Sequence, residues 1–213
     1  MKFCVIGLGR FGYQVAIGLA ENGMGVIAID SNEAIIASIR DQVTQAICMR
    51  VTDEASLRSV GVDEMDTVIV AMGENFAQSI LITALLKKRM NIPKVIARAI
   101  DDIHKDILKL VGADRTILPE KAIGIRLADN LSSPFMDLTR LTKEFSISQI
   151  IAPKKWIGKT IAELNLYENY NIHAVGIRQD EVITSLDPEY VIVEGAKLIF
   201  SGKNEDLEKI NKL

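Results

Sequence analysis

The stretch Phe3-Cys4-Val5-Ile6-Gly7-Leu8-Gly9-Arg10-Phe11-Gly12 decides how the first half of this chain folds. Its first four residues close an apolar run, 2–6, that reads as a buried strand. Its last six form the spacing G-x-G-x-x-G at the point where a helix over 10–22 opens. Each glycine has a separate task. Gly7 makes the tight turn, Gly9 lets a phosphate approach the backbone, and Gly12 lets the helix lie close on the strand. Phosphates then rest on unpaired N–H groups at a helix N-terminus. Asp30 ends the second apolar run, 18 residues past Gly12, near the spacing at which an acid meets ribose hydroxyls. A carboxylate there repels a 2′-phosphate, which disfavours NADP and leaves NAD(H), ATP and ADP open. Arg10 stands at a variable position of the turn. Its guanidinium suits bidentate contact with further phosphate oxygens; the plainer alternative is a solvated surface arginine.

Outward from this turn, apolar runs keep alternating with helical patterns. They predict strands over 2–6, 25–30, 43–48, 66–72, 94–99 and 115–118. Helices are predicted over 10–22, 33–41, 53–60, 75–90, 101–111 and 120–131, the last with Pro119 at its first turn. Continuous apolar strands alternating with helices imply a parallel sheet covered on both faces. Six such units make an α/β, doubly wound, Rossmann-type domain. The pattern changes at Ser132-Ser133-Pro134. After it come strands over 147–151, 171–178, 181–184 and 197–201, a tight turn at Gln179-Asp180, a short helix over 160–164 and a last helix from 205. That half reads as a small α+β domain. The expected boundaries are 1–134 and 135–213.

Composition bounds the function. Apolar residues make up 48% of the 213 and charged ones 25%, enough for a sizeable core. The net charge of −3, with no basic run, speaks against nucleic acid. No apolar stretch approaches the roughly 20 residues that cross a bilayer, and the start is too short for a signal peptide, so a cytoplasmic protein is expected. Cys4 and Cys48 both lie in apolar runs and read as small core residues. Neither has the C-x-x-C spacing of a zinc site.

The chain also lacks the chemistry of an enzyme. His104 falls in a polar helical segment and reads as solvated. His173 falls in an alternating strand and reads as surface or half-buried. There is no Walker A lysine, no G-x-S-x-G, no H-E-x-x-H and no paired carboxylates. A nucleotide site without reactive groups suits a sensor, in which the ligand binds two conformations unequally.

Three segments carry a family resemblance: FCVIGLGRFG at 3–12, TVIVAMGEN at 67–75 and LVGADRTILPEKAIGIRLA at 110–128. They resemble the Ktr/Trk-type potassium-uptake regulatory subunits, which carry an RCK domain, and the likeness extends over the whole chain. It implies an N-terminal nucleotide-binding RCK domain, a crossover helix and a C-terminal RCK lobe. It implies that Gly7, Gly9 and Gly12 hold phosphates, with Leu8 and Phe11 in the same cofactor-binding turn and Arg10 on the terminal phosphate from its own subunit or across a dimer. Asp30 would bind ribose beside Ser31 and Asn32. Thr52 and Asp53 would border the adenine, Ala71, Gly73 and Glu74 would line the same crevice, and Arg98 would sit near the nucleotide. Glu120 would hold a divalent cation, Mg²⁺ or Ca²⁺, between protomers. For Asp53 and Glu120 the alternative is an acid that serves only its helix end.

The resemblance further implies a homodimer through the crossover helix, with Ile123, Ile125, Leu127 and Leu131 on the partner. That helix would serve equally to cover the sheet of its own domain. Dimers would assemble into an octameric ring beneath a membrane potassium transporter, at the inner face of the cell membrane. Cyclic di-AMP at the C-terminal lobe is implied by some relatives, against simple dimerisation there. Two other functions stay open. One is a nucleotide or redox sensor for another partner, such as a cation/proton antiporter. The other is a small NAD-dependent oxidoreductase.

Overall fold

A computed structural model describes residues 1–73, 75–132, 137–178 and 181–210. Glu74, the linker residues Ser133 and Pro134, and the turn Gln179-Asp180 lie outside the described residues. The chain divides into two compact units, Met1–Ala122 and Ile123–Leu213.

The first unit contains strands β1 (Lys2–Ile6), β2 (Gly25–Asp30), β3 (Gln45–Cys48), β4 (Thr67–Val70), β5 (Lys94–Arg98) and β6 (Arg115–Ile117). They form one sheet in the order β3-β2-β1-β4-β5-β6, with every pair parallel. This is the doubly wound order, and it reverses direction between β1 and β4. Helices α1 (Arg10–Glu21), α2 (Glu33–Ile39), α3 (Glu54–Ser59), α4 (Phe76–Ala84) and α5 (Asp102–Leu110) connect them, and α6 (Pro119–Ser132) follows β6. All four residues of β4 are buried, as a central parallel strand requires. The apolar core lies in two clusters, one around Val68, Val70 and Val95, the other around Val5, Ala28 and Ile69.

Three expectations are corrected here. The helix predicted over 75–90 ends as an α-helix at Ala84, and Leu85–Arg89 widens into a π turn. There Met90 N–H donates to Leu85 O, and Lys87 Nζ reaches the carbonyls of Ile92 and Pro93. Cys48 is exposed, whereas Cys4 is buried. Cys48 ends β3, and β3 is the edge of the sheet, so its outer flank has no covering neighbour. His104 is fully buried. Its Nδ1 accepts from Ile100 N–H, Nε2 faces Ser79 Oγ at 2.8 Å, and its ring packs on Phe76. The polar neighbours of His104 in sequence fall on the other faces of α5 and conceal this.

The second unit holds β7 (Asp137–Arg140), β8 (Phe145–Ile151), α7 (Ile161–Leu164), α8 (Leu166–Tyr170), β9 (Ile172–Arg178), β10 (Val182–Ile183), β11 (Lys197–Lys203) and α9 (Asn204–Ile210). Its sheet runs β10-β9-β11-β8-β7, with all pairs antiparallel. Trp156, Phe200, Ile172 and Leu198 centre its core. Neither β7 nor α8 was predicted. β7 is a short strand bearing Asp137 and Arg140, and α8 is a single turn between two left-handed asparagines, Asn165 and Asn171.

Candidate nucleotide site

The site is built where β1 hands over to α1. Gly7 has φ +89°, a conformation that side chains avoid, and a Cβ there would meet Met72 Cγ at 2.8 Å. At Gly12 a Cβ would run into the Gly7 carbonyl and into Ala71 Cβ. These two glycines are therefore required by packing. Gly9 differs: its Cβ direction is open for 4 Å. The α1 N-terminus carries no side-chain cap and no acid in its first turn. Its free N–H groups and positive dipole end face open space beside Gly9, the arrangement that receives an anion. Arg10, exposed, begins this helix. Leu8 is buried, and Phe11 packs on the second core cluster.

Asp30, at the end of β2, is tied to this turn. Its Oδ2 accepts from Leu8 N–H at 2.6 Å and its Oδ1 from Asn32 N–H at 2.8 Å. Each carboxylate oxygen keeps a further lone pair for a ligand. A cleft of about 270 Å³ opens here, lined by Gly7, Asp30, Ser31, Arg50, Val51 and Gln78 among others. It lies at the C-terminal ends of the strands around the point where the order reverses, the place at which open α/β sheets bind ligands. Among the described residues the lining holds one carboxylate and no histidine or cysteine. Its donors and carboxylate suit a polyanion with a ribose, and among the described residues it presents no acid–base pair.

The remaining expected residues fall at several distances from this chemistry. Ser31 lines the cleft, and its carbonyl lies 3.7 Å from Cys48 Sγ. The Asn32 side chain caps α2, accepting from Ala34 and Ile35 N–H. Asp53 caps α3. It accepts from Ser56 N–H at 2.8 Å and from Thr52 Oγ1 at 3.1 Å, and the Ser56 amide foremost holds its carboxyl below the usual range. Ala71 is buried beneath the glycine turn. Gly73 lies directly against the Arg98 guanidinium. Arg98 Nη2 donates to Glu120 Oε1 at 2.6 Å. The Glu120 carboxyl is held low, first by its own backbone amide in the opening turn of α6 and then by Arg98. Among the described residues no three His, Cys, Asp or Glu side chains gather into a metal cage. Met49, Arg50, Val51 and Gln78 are lining residues that sequence reasoning missed. The first three simply follow the end of β3, where the strand-end rule would have pointed. Gln78 carried no signal; its Nε2 donates to Val51 O at 2.6 Å and closes the far wall.

Comparison with known proteins agrees with the doubly wound fold of the first unit. A TrkA-N domain matches residues 3–119 and a TrkA-C domain matches residues 147–213. The chain belongs to the TrkA-N family. A relative of this TrkA-N protein, Ktr system potassium uptake protein A of Bacillus subtilis (strain 168), is 34% identical over 210 residues, 98% of this chain and 94% of its own. Among solved structures, a GsuK channel bound to NAD is 25% identical with a TM-score of 0.54, covering 99% of this TrkA-N chain and 38% of that one. GsuK bound to ADP is likewise 25% identical, with a TM-score of 0.52 over 61% of this chain and 33% of that one.

Proposed function

We propose that this chain is the nucleotide-sensing regulatory subunit of a membrane potassium transporter, gating flux without consuming its ligand. The observation that carries the reading is the uncapped glycine turn latched to Asp30, opening into a cleft with no acid–base pair. Such a cleft suits an adenine nucleotide, ATP or ADP or NAD(H), and its described residues hold no acid–base pair that would alter it. Family membership and the potassium-uptake relative direct the reading to potassium flux.

Among the described residues no helix is long and apolar enough to cross a membrane. In this reading the chain is cytoplasmic and reaches the inner face of the membrane through its partner. Self-association supports the assembly: Ile123, Leu127 and Leu131, spaced four apart on α6, are 63%, 56% and 78% exposed. Apolar side chains at that spacing share one helix face, and a second copy of the helix would cover them. The octameric ring is the arrangement to test by mass measurement. A divalent cation would take Glu120 as its ligand from this chain. One carboxylate, half engaged by Arg98, is not a cage, so further ligands would have to come from another protomer. In the C-terminal lobe a cleft of about 230 Å³ carries Arg178 and Lys197, which makes an anionic cyclic dinucleotide such as cyclic di-AMP the ligand class to test there.

The deciding experiment reconstitutes the subunit with a potassium transporter in liposomes. Flux should differ between ATP and ADP, because only a ligand with unequal affinity for two states shifts them. The nucleotide should be recovered intact. Asp30→Ala should bind nucleotide about ten- to a hundredfold more weakly and lose the difference while still binding the transporter. Flux insensitive to nucleotide, or turnover of NADH, would turn the reading toward another partner or toward an enzyme.

A further inference from the structure

In the second unit two short segments lie side by side just beyond the β8–β11 pair. Residues 151–159 read Ile-Ala-Pro-Lys-Lys-Trp-Ile-Gly-Lys, and residues 191–197 read Val-Ile-Val-Glu-Gly-Ala-Lys. Ala152 N–H donates to Ala196 O at 2.8 Å, Gly158 N–H to Ile192 O at 2.8 Å and Ile192 N–H to Lys159 O at 2.9 Å. A bridge between Thr160 and Val191 closes the pairing. Trp156 and Ile192 are 2% and 0% exposed and fix this ledge to the core of the unit. Segments so anchored present their other side chains outward.

The outer side mixes two kinds of side chain. Ile151, Ile157, Val191 and Val193 are 53%, 37%, 49% and 54% exposed. Among them stand Lys154, Lys155 and Lys159, all exposed, with Lys197 half-buried at the start of β11. Glu194 is the one acid of the two segments, and from 145 to 162 the sequence holds no acid at all. No ion pair among the described residues engages any of these four lysines. The lysines that do pair, Lys2, Lys87, Lys121 and Lys209, lie elsewhere. Exposed aliphatic side chains scattered singly are ordinary. Four on one hydrogen-bonded ledge, interleaved with cations in a chain of net charge −3, are not.

The composition selects the occupant. A second copy of the ledge fits poorly, because a two-fold contact would set lysines against lysines. A protein hot spot draws on aromatic anchors, and the ledge turns its only aromatic side chain, Trp156, inward. A bilayer rich in anionic phospholipid answers both features. Its phosphates attract the ammonium groups, and its acyl boundary accepts the short aliphatic side chains between them. Lysine stems lie along apolar surface while their charged ends reach the headgroups.

We infer that the ledge of residues 151–159 and 191–197 is a peripheral contact for an anionic membrane surface, holding the second unit to the bilayer by charge and by four shallow aliphatic side chains. This goes beyond the transporter reading and does not need it, since the contact is with lipid. It requires no bond to be made or broken.

Flotation of the full chain with transporter-free vesicles tests it. Phosphatidylcholine mixed with an equal part of phosphatidylglycerol should bind the chain at least about tenfold more tightly than phosphatidylcholine alone, despite the net negative charge of the chain. Added salt should release it, because screening shortens the reach of surface charge. Lys154→Gln with Lys155→Gln should weaken binding by about fivefold per lysine. Val193→Ser should weaken it by about threefold and leave the salt dependence unchanged, because its share is apolar burial. Lys105→Gln with Lys109→Gln on α5 removes the same charge elsewhere and should bind as the parent does. Thermal melts verify that each variant is folded. Equal affinity for the two kinds of vesicle overturns the inference, and so does an equal loss in the α5 variant, which would reduce the effect to net charge. Poly-glutamate that binds the chain more tightly than the anionic vesicles would assign the ledge to an acidic protein and overturn it as well. None of these outcomes touches gating by nucleotide, which stands or falls on its own flux experiment.

Discussion

The two halves of this chain use strands in opposite ways, and in the first of them the strand ends gather around the candidate nucleotide cleft. In Met1–Ala122 the strands are parallel, so every C-terminal strand end falls on the same edge of the sheet. β4 is buried throughout, which leaves its backbone ends and the following loops as the only places for function. In Ile123–Leu213 the strands are antiparallel and alternate: β11 reads half-buried, buried, half-buried, buried along Lys197–Phe200. Successive strand ends then point in opposite directions, and no common edge collects them. Parallel topology therefore concentrates N–H donors and loop side chains where antiparallel topology disperses them.

The strongest way to break this comparison is to damage one core and read the other. Trp156 is 2% exposed and packs on Tyr170 and Phe200, each with ring centroids 5.9 Å away. Trp156→Ala should cost about 3–5 kcal/mol. Hydrogen exchange should quicken over β8, β9 and β11, while ATP affinity changes less than about twofold. A comparable collapse of ATP affinity would mean that the units depend on one another for more than the chain between them.

A second test separates packing from binding inside the glycine turn. Gly12→Ala drives a methyl into the Gly7 carbonyl and Ala71; overpacking of this kind costs about 1–3 kcal/mol. Gly9 has φ −61°, acceptable for alanine, and open space in its Cβ direction. Gly9→Ala should leave the unfolding midpoint within about 0.5 kcal/mol of the parent and weaken ATP binding by more than tenfold. Equal stability losses in the two variants would refute the division of labour.

The fold of the first half was legible because a buried parallel strand is a near-continuous apolar or β-branched run, and such runs as Thr67–Val70 cannot be mistaken for a polar loop. The glycine turn and Asp30 were legible for a related reason: their spacing is dictated by the geometry of a strand, a turn and a helix. What stayed hidden depends on contacts across the fold. The exposure of Cys48 follows from β3 being an edge, which only the strand order reveals. The cap role of Asp53 was open to the sequence as the helix-end alternative, but the hold of Arg98 on Glu120 is a choice of partner, and a sequence does not show partners. Gln78 joins the cleft only because α4 turns its first residues toward Val51.

His104 is the sharpest of these hidden cases and supports the smallest of the predicted effects. In the neutral ring Nδ1 accepts from Ile100 N–H, so Nε2 carries the proton and donates to Ser79 Oγ; Ser79 in turn donates to the Phe76 carbonyl. A proton added at Nδ1 would set two donors against each other in a buried place. Burial foremost, partly offset by the charge of Asp101, lowers the His104 pKa from its ordinary 6.5. A lowered folded-state value means that the unfolded chain takes up the proton first. The stability contributed by this site is thus complete above about pH 6.5 and declines as the pH falls toward the lowered value. Denaturant midpoints of the parent should drop between pH 7 and pH 5 by more than those of His104→Gln, which has no proton to gain. The midpoint of the variant at pH 7 should itself lie below the parent's, since one acceptor or donor of the chain is lost. Parallel pH profiles for parent and variant would show that the ring does not resist protonation, and that α4 and α5 are joined by packing alone.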